Sequence, residues 1–256
     1  MTREGDAGLL RTATASVALC WLAMVAYPLA QRRGQARRLL TPVVVGSLAV
    51  TTSAVVVRRW GVRRGAIAAV VVSLSTALVE RIGTSTGVPF GRYRYTDRLR
   101  PAVAGVPVVV PLAWWAMAAP SREAAHAVLG RRSTPWERVA VGAFALTAWD
   151  LFLDPQMVAE DFWRWRRAGR YRGIPATNFA GWLLTGVAVM AVLERMLPAR
   201  PQPDACLVAE YAAMGAMETV GFAAFFRDPL VAATGGAAML PIGVRALART
   251  LRMSDD

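Results

Sequence analysis

The sequence predicts an all-α fold, a polytopic membrane bundle of seven or eight transmembrane helices, on three observations. Of the 256 residues, 55% are hydrophobic and 18% charged, whereas a soluble domain carries about a quarter charged residues. The apolar residues fall in runs of roughly 15 to 22, long enough to span a bilayer. The charges are packed between those runs. This distribution argues against a soluble enzyme, a disordered chain and a secreted disulfide scaffold.

Spans are expected at roughly 9–30, 39–57, 65–81, 102–119, 138–153, 176–197, 205–226 and 230–247, forming one integral-membrane domain over residues 1–256. The first follows a short start with Glu4 and Asp6. At about 20 residues it is long for a cleaved signal peptide, so it reads as a retained span. The second follows Arg32, Arg33, Arg37 and Arg38, carries Pro42 and ends before Arg58, Arg59, Arg63 and Arg64. The third is short and closes on Glu80 and Arg81. The fourth contains Pro107 and Pro111 and leads into a polar connector with Arg122, Glu123 and His126. The fifth, also short, contains Gly142 and ends Ala148-Trp149-Asp150-Leu151-Phe152-Leu153-Asp154-Pro155. The sixth holds Gly181 and Gly186, the seventh Gly215 and Gly221 with two acids, Glu210 and Glu218, and the eighth Gly235 and Gly236. Small residues let helices approach closely in lipid, and a neighbouring helix can satisfy the backbone groups that proline frees.

All thirty basic residues are Arg, against seventeen acids, for a net charge of +13. They cluster at the ends of apolar runs, where side chains reach lipid phosphates. Membrane lipids are therefore the expected partners of this charge, and nucleic acid is not. Because the Arg residues divide evenly between the two faces, they leave orientation open. Without Lys there is no Schiff-base chemistry. Cys20 and Cys206 lie in apolar runs, and His126 is the one histidine, so neither a disulfide framework nor a metal site is expected. A phosphate-cradling glycine loop is also missing. A diphosphate motif of the membrane prenyltransferase kind would add an Asn four residues before Asp150, where the chain has Leu146.

The scarce acids carry more information. Asp150 and Asp154 are four apart near the end of an apolar helix, so both project from one face. A carboxylate at that depth is expensive to ionise, and a pair that retains one proton is a general acid. In the alternative reading Asp154 caps a helix beginning after Pro155 and Asp150 pairs with a connector Arg. Glu80 either joins the chemistry or pairs with Arg81, and Glu218 is a buried acid in need of a partner or a proton. With eight spans, the connectors after spans three, five and seven share one face. They bring Arg92, Tyr93, Tyr95 and Asp97, then Glu160 and the aromatic run Phe162-Trp163-Arg164-Trp165, then Arg227-Asp228-Pro229. Gly-Arg-Tyr-Arg occurs twice, at 91–94 and 169–172. The aromatic faces, Trp149 among them, can stabilise a cation or simply form an interface belt.

Several long strings resemble the carotenoid hydratase family, which includes bisanhydrobacterioruberin hydratases and gamma-carotene 1'-hydratases. They are Val88-Pro89-Phe90-Gly91-Arg92-Tyr93-Arg94-Tyr95-Thr96-Asp97, Gly105-Val106-Pro107 with Pro111-Leu112-Ala113-Trp114, Ala148 through Glu160, and Gly173-Ile174-Pro175 with Asn178-Phe179 and Gly181-Trp182. The resemblance implies a membrane enzyme that adds water to the terminal double bond of an acyclic carotenoid, C40 or C50, giving a tertiary alcohol without a cofactor. In that reading Asp154 or Asp150 donates the proton, and the other carboxylate or Glu80 orients the water. Trp149, Tyr93 and Tyr95 line the cation site, while Arg92 and Asn178 hold the carboxylates. Asp97, Glu160 and Glu218 complete the expected substrate-binding set. Two other readings stay open: a non-catalytic carotenoid-binding protein working with other enzymes of the pathway, and a carotenoid cyclase, which also begins by protonating an alkene.

Overall fold

The computed structural model describes residues 3–255, with side chains over 4–253. It is an all-α membrane helix bundle of eight helices. These are α1 (Arg3–Leu29), α2 (Gln35–Trp60), α3 (Val62–Thr86), α4 (Val109–Leu129), α5 (Pro135–Ala159), α6 (Ala176–Met196), α7 (Ala205–Val220) and α8 (Pro229–Asp255). A π-helical turn, Gly221–Phe225, continues α7. Four short strands lie in the connectors: β1 (Tyr93–Tyr95), β2 (Ala102–Val103), β3 (Val106–Pro107) and β4 (Trp163–Trp165).

Five helices, α1, α2, α3, α6 and α8, are long and apolar enough to cross a membrane. The other three carry buried charge: Arg122 and Glu123 on α4, Asp150 and Asp154 on α5, Glu210 and Glu218 on α7. Their position explains the difference. Helix α4 packs against α2, α3, α5, α6, α7 and α8, so its polar groups meet protein instead of lipid. It is the central helix, and Trp114, Trp115, Met117 and Arg122 are all fully enclosed.

Several boundaries depart from the sequence expectation, and those of α4 and α5 bear on the site. Residues 102–107 form a small β2–β3 hairpin and α4 starts at Val109, because Pro107 removes a backbone donor that a helix would need. The segment with Arg122, Glu123 and His126 is then the buried second half of α4 and not a connector. Helix α5 likewise runs past Pro155 to Ala159. A proline at that position leaves the carbonyl four residues back, that of Leu151, without its intrahelical donor. The Tyr171 hydroxyl supplies one at 2.8 Å. Pro120 in α4 strands the Ala116 carbonyl in the same way, and Thr52 of α2 donates to it at 2.9 Å. Neighbouring side chains thus repair both breaks.

The connectors 30–34, 87–108, 160–175 and 226–228 gather on one face. Arg37 pairs with Glu160 at 2.6 Å, and the Arg33 amide donates to the same carboxylate at 2.7 Å. Arg172 pairs with Asp228 at 2.6 Å. Strands β1 and β4 pair antiparallel, with Tyr93 opposite Trp165 and Tyr95 opposite Trp163. Side chains alternate along a strand, so these four aromatics turn inward while Arg94 and Arg164 are exposed.

Candidate active site

Asp150 and Asp154 sit one turn apart on α5, both essentially inaccessible to solvent at 0% and 2% exposure. Because α5 continues through Pro155, Asp154 is an interior helix residue and not a cap. Among the described residues neither aspartate pairs with an Arg. Instead Asn178, in the first turns of α6, donates its side-chain amide to Asp150 Oδ2 at 2.8 Å and to Asp154 Oδ2. The Trp163 indole of β4 donates to Asp154 Oδ1 at 3.2 Å. Asp150 Oδ1 and the Trp149 indole nitrogen are buried without a hydrogen-bond partner among the described residues.

A third carboxyl faces the same space. Glu80, near the end of α3, accepts from the Tyr93 hydroxyl, from the Tyr95 hydroxyl at 2.6 Å and from the Trp114 indole of α4 at 3.0 Å. Three donors converge on it, and Arg81 is not among them. Burial holds the Tyr93 and Tyr95 hydroxyls well above the ordinary phenol range, with the neighbouring Glu80 adding to the effect. Both are therefore donors at neutral pH. The register depends on a close approach at two glycines. A Cβ at Gly83 would lie 2.9 Å from the Phe90 ring, and one at Gly181 would lie 2.7 Å from it. Phe90 is thus wedged between α3 and α6, which fixes where the β1 tyrosines begin.

Glu80, Asp154 and Asn178 line one small chamber of about 60 Å³, walled by Phe90, Tyr93, Tyr95, Trp114, Trp163, Trp165 and Trp182. Trp114 and Trp182 stack with centroids 3.9 Å apart, and Tyr95 meets Trp163 edge-on at 5.7 Å. A larger, mostly apolar cavity of about 240 Å³ adjoins it and shares Thr41, Val45, Ala113, Leu153 and Met157 as common wall. Trp149 and Glu218 line the larger cavity. Among the described residues no cluster of three His, Cys, Asp or Glu has the makings of a metal site.

Residues 38–244 match the family model for carotenoid biosynthesis proteins. The chain belongs to this family. It is 35% identical over 132 residues to a bisanhydrobacterioruberin hydratase from Haloarcula japonica, an alignment that takes in 50% of this chain and 44% of the relative. The chain thus spans less than half the length of that relative. No solved structure matches.

Within the family segment the expected residues separate into three groups. Glu80, Tyr93, Tyr95, Asp154 and Asn178 converge on the chamber, with Asp150 directly behind Asp154. Trp149 and Glu218 belong to the adjoining cavity, and Glu218 has no hydrogen-bond or ion-pair partner among the described residues. Arg92, just before β1, is exposed and makes no ion pair among the described residues, whereas Asn178, expected to hold the carboxylates with it, bridges both aspartates. Asp97 is exposed and pairs with Arg100. Glu160 is buried, but it ties the α1–α2 connector to the end of α5 through Arg37 and Arg33. Arg92, Asp97 and Glu160 thus line neither the chamber nor the adjoining cavity. Trp114, Trp182 and Phe90 were not singled out from the sequence as site residues. Their one signal was membership in the strings that carry the family likeness.

Proposed function

We propose that this membrane protein is a carotenoid hydratase that adds water across the terminal trisubstituted double bond of an acyclic carotenoid, C40 or C50, drawn from the cell membrane. The observation that carries this reading is the aspartate pair, bridged by Asn178, opening through Asp154 onto an aromatic chamber that continues into an apolar cavity. Asp154 donates its proton to the less substituted alkene carbon, and the tertiary carbocation forms beside the faces of the chamber aromatics. Water adds to the cation and gives up a proton to Glu80 or to the aspartate pair. One proton enters and one leaves, so the net change is one water. The hydrocarbon tail lies in the larger cavity. A reaction of this type calls for no redox group, and the chain acts as a single integral-membrane domain.

The test is to incubate the purified protein in detergent with an acyclic carotenoid and no partner protein. A product heavier by one water supports the hydratase. A product isomeric with the substrate identifies a cyclase instead, and binding without any product leaves a carotenoid-binding role within a complex of pathway enzymes.

A further inference from the structure

The end of the bundle opposite the aspartate pair is also built on charge. There Glu194 accepts from His126 at 2.5 Å and from Arg138 at 2.9 Å, and forms an ion pair with Arg122 at 2.9 Å. Glu123 is held by Arg122 at 2.6 Å, and Asp204 lies 3.6 Å from Arg59 and 3.7 Å from Arg58. These three carboxylates are already committed. Beside them opens a cavity of about 570 Å³, lined by His126, Arg131, Arg138, Arg200, Arg249 and Arg252 and, among the described residues, by no carboxylate.

Four of those cations, Arg131, Arg200, Arg249 and Arg252, make no ion pair among the described residues. Arg249 and Arg200 are nevertheless fixed in place, each through one nitrogen on a backbone carbonyl at 2.6 Å, that of Val128 and that of Arg59. Guanidinium groups gathered around one space repel each other, and an oxygen-rich anion relieves that repulsion while matching their planar donor geometry. The rest of the wall is apolar, with Ala127, Pro201, Pro203 and Met253. The cavity lies where α4, α6 and α8 end and α5 begins, at the level of lipid headgroups for a bundle of this kind. Charge and apolar wall together fit the polar end of an amphiphile.

We propose that this cavity is a binding site for a phosphate group, supplied by an anionic phospholipid headgroup. Basic pockets between transmembrane helices hold such headgroups by this chemistry. The site is separate from the aspartate chamber and stands whether or not the hydratase reading does.

The full chain in detergent is titrated with phosphatidylglycerol, phosphatidylcholine and inorganic phosphate, with bound species counted by native mass spectrometry. Arg131 and Arg252 are exposed side chains, so Arg131→Gln/Arg252→Gln removes charge with little risk to folding. The expected result is phosphatidylglycerol binding that weakens at least about tenfold in this variant, since each Arg near a membrane surface adds to the attraction for an anionic lipid. The pair Arg166→Gln/Arg167→Gln, on the opposite face, removes the same charge and should leave binding unchanged. If inorganic phosphate displaces the lipid at equal concentration, the phosphate group alone is the ligand; if it does not, the headgroup with its chains is. Either outcome supports the site. Equal binding of phosphatidylcholine, equal weakening in both variants, or lipid binding only after removal of residues 254–256 would overturn it, the last because the chain's own acidic end would then be the occupant.

Discussion

Asn178 reaches from α6 to within 2.8 Å of Asp150 on α5, and the same amide nitrogen also donates to Asp154. An amide nitrogen has two hydrogens and the two aspartates present one oxygen each, so the bridge uses its full donor capacity. Replacing Asn178 with Ala leaves both buried carboxyls short of a donor, at a cost of about 1–3 kcal/mol for each buried group so exposed. The expected outcome is a lowered unfolding temperature together with at least about a tenfold fall in hydration rate. Unchanged thermal unfolding in detergent would show that the bridge does not hold the pair.

The two aspartates are not equivalent. Asp154 lines the chamber, whereas Asp150 lies behind it. Asp154→Asn should therefore cut product formation by about 10²–10⁴, the range for loss of a positioned acid. Asp150→Asn keeps the packing and a hydrogen-bonding partner for Asn178, and should cost less than about a tenth of that loss. Pigment analysis of a carotenoid-producing host carrying each variant separates them. Equal rates for the two would remove the distinction.

The eight helices were legible because each is an apolar run bounded by Arg, and a bilayer permits few alternatives to such a pattern. The Asp150 and Asp154 pair was legible for the same reason, as charge where charge is costly. What the sequence concealed came from partners distant along the chain. The family likeness implies that Arg92 and Asn178 hold the carboxylates together. Only Asn178 reaches them, because Arg92 precedes β1 on its exposed side while Tyr93 turns inward. Arg122, Glu123 and His126 read as a surface connector because charge usually marks one. Only the central position of α4, with Glu194 and Asp204 arriving from elsewhere, makes their burial tolerable.

Tyr93 and Tyr95 give the protein an alkaline limit. Their hydroxyls are held well above the ordinary phenol range by burial and by Glu80. In the unfolded chain they ionise near pH 10. The folded state then binds more protons than the unfolded one, so the stability these groups contribute is complete below about pH 10 and declines as pH rises further. Tyr93→Phe/Tyr95→Phe should flatten that decline while lowering stability at neutral pH, because Glu80 loses two donors. Thermal unfolding followed from pH 8 to pH 11 measures both effects, and identical slopes for the variant and the parent chain would refute the account.

Tyr171, in the second Gly-Arg-Tyr-Arg copy, carries the last prediction. Its hydroxyl donates to the Leu151 carbonyl at 2.8 Å and lies 2.7 Å from the Thr234 hydroxyl of α8. The Leu151 carbonyl is open only because Pro155 has no N–H to give it. Tyr171→Phe should then destabilise the protein by about 0.5–1.5 kcal/mol, the net worth of a hydrogen bond to a half-buried carbonyl. Restoring the backbone donor with Pro155→Ala should recover part of that loss, since the amide of residue 155 can reach the Leu151 carbonyl in a regular helix. The double variant is therefore expected to be more stable than the sum of the two single changes allows, with a coupling energy of about 0.5–2 kcal/mol. Additive effects in a double-mutant cycle of thermal unfolding would mean that the tyrosine hydroxyl does not stand in for the helix bond that the proline removes.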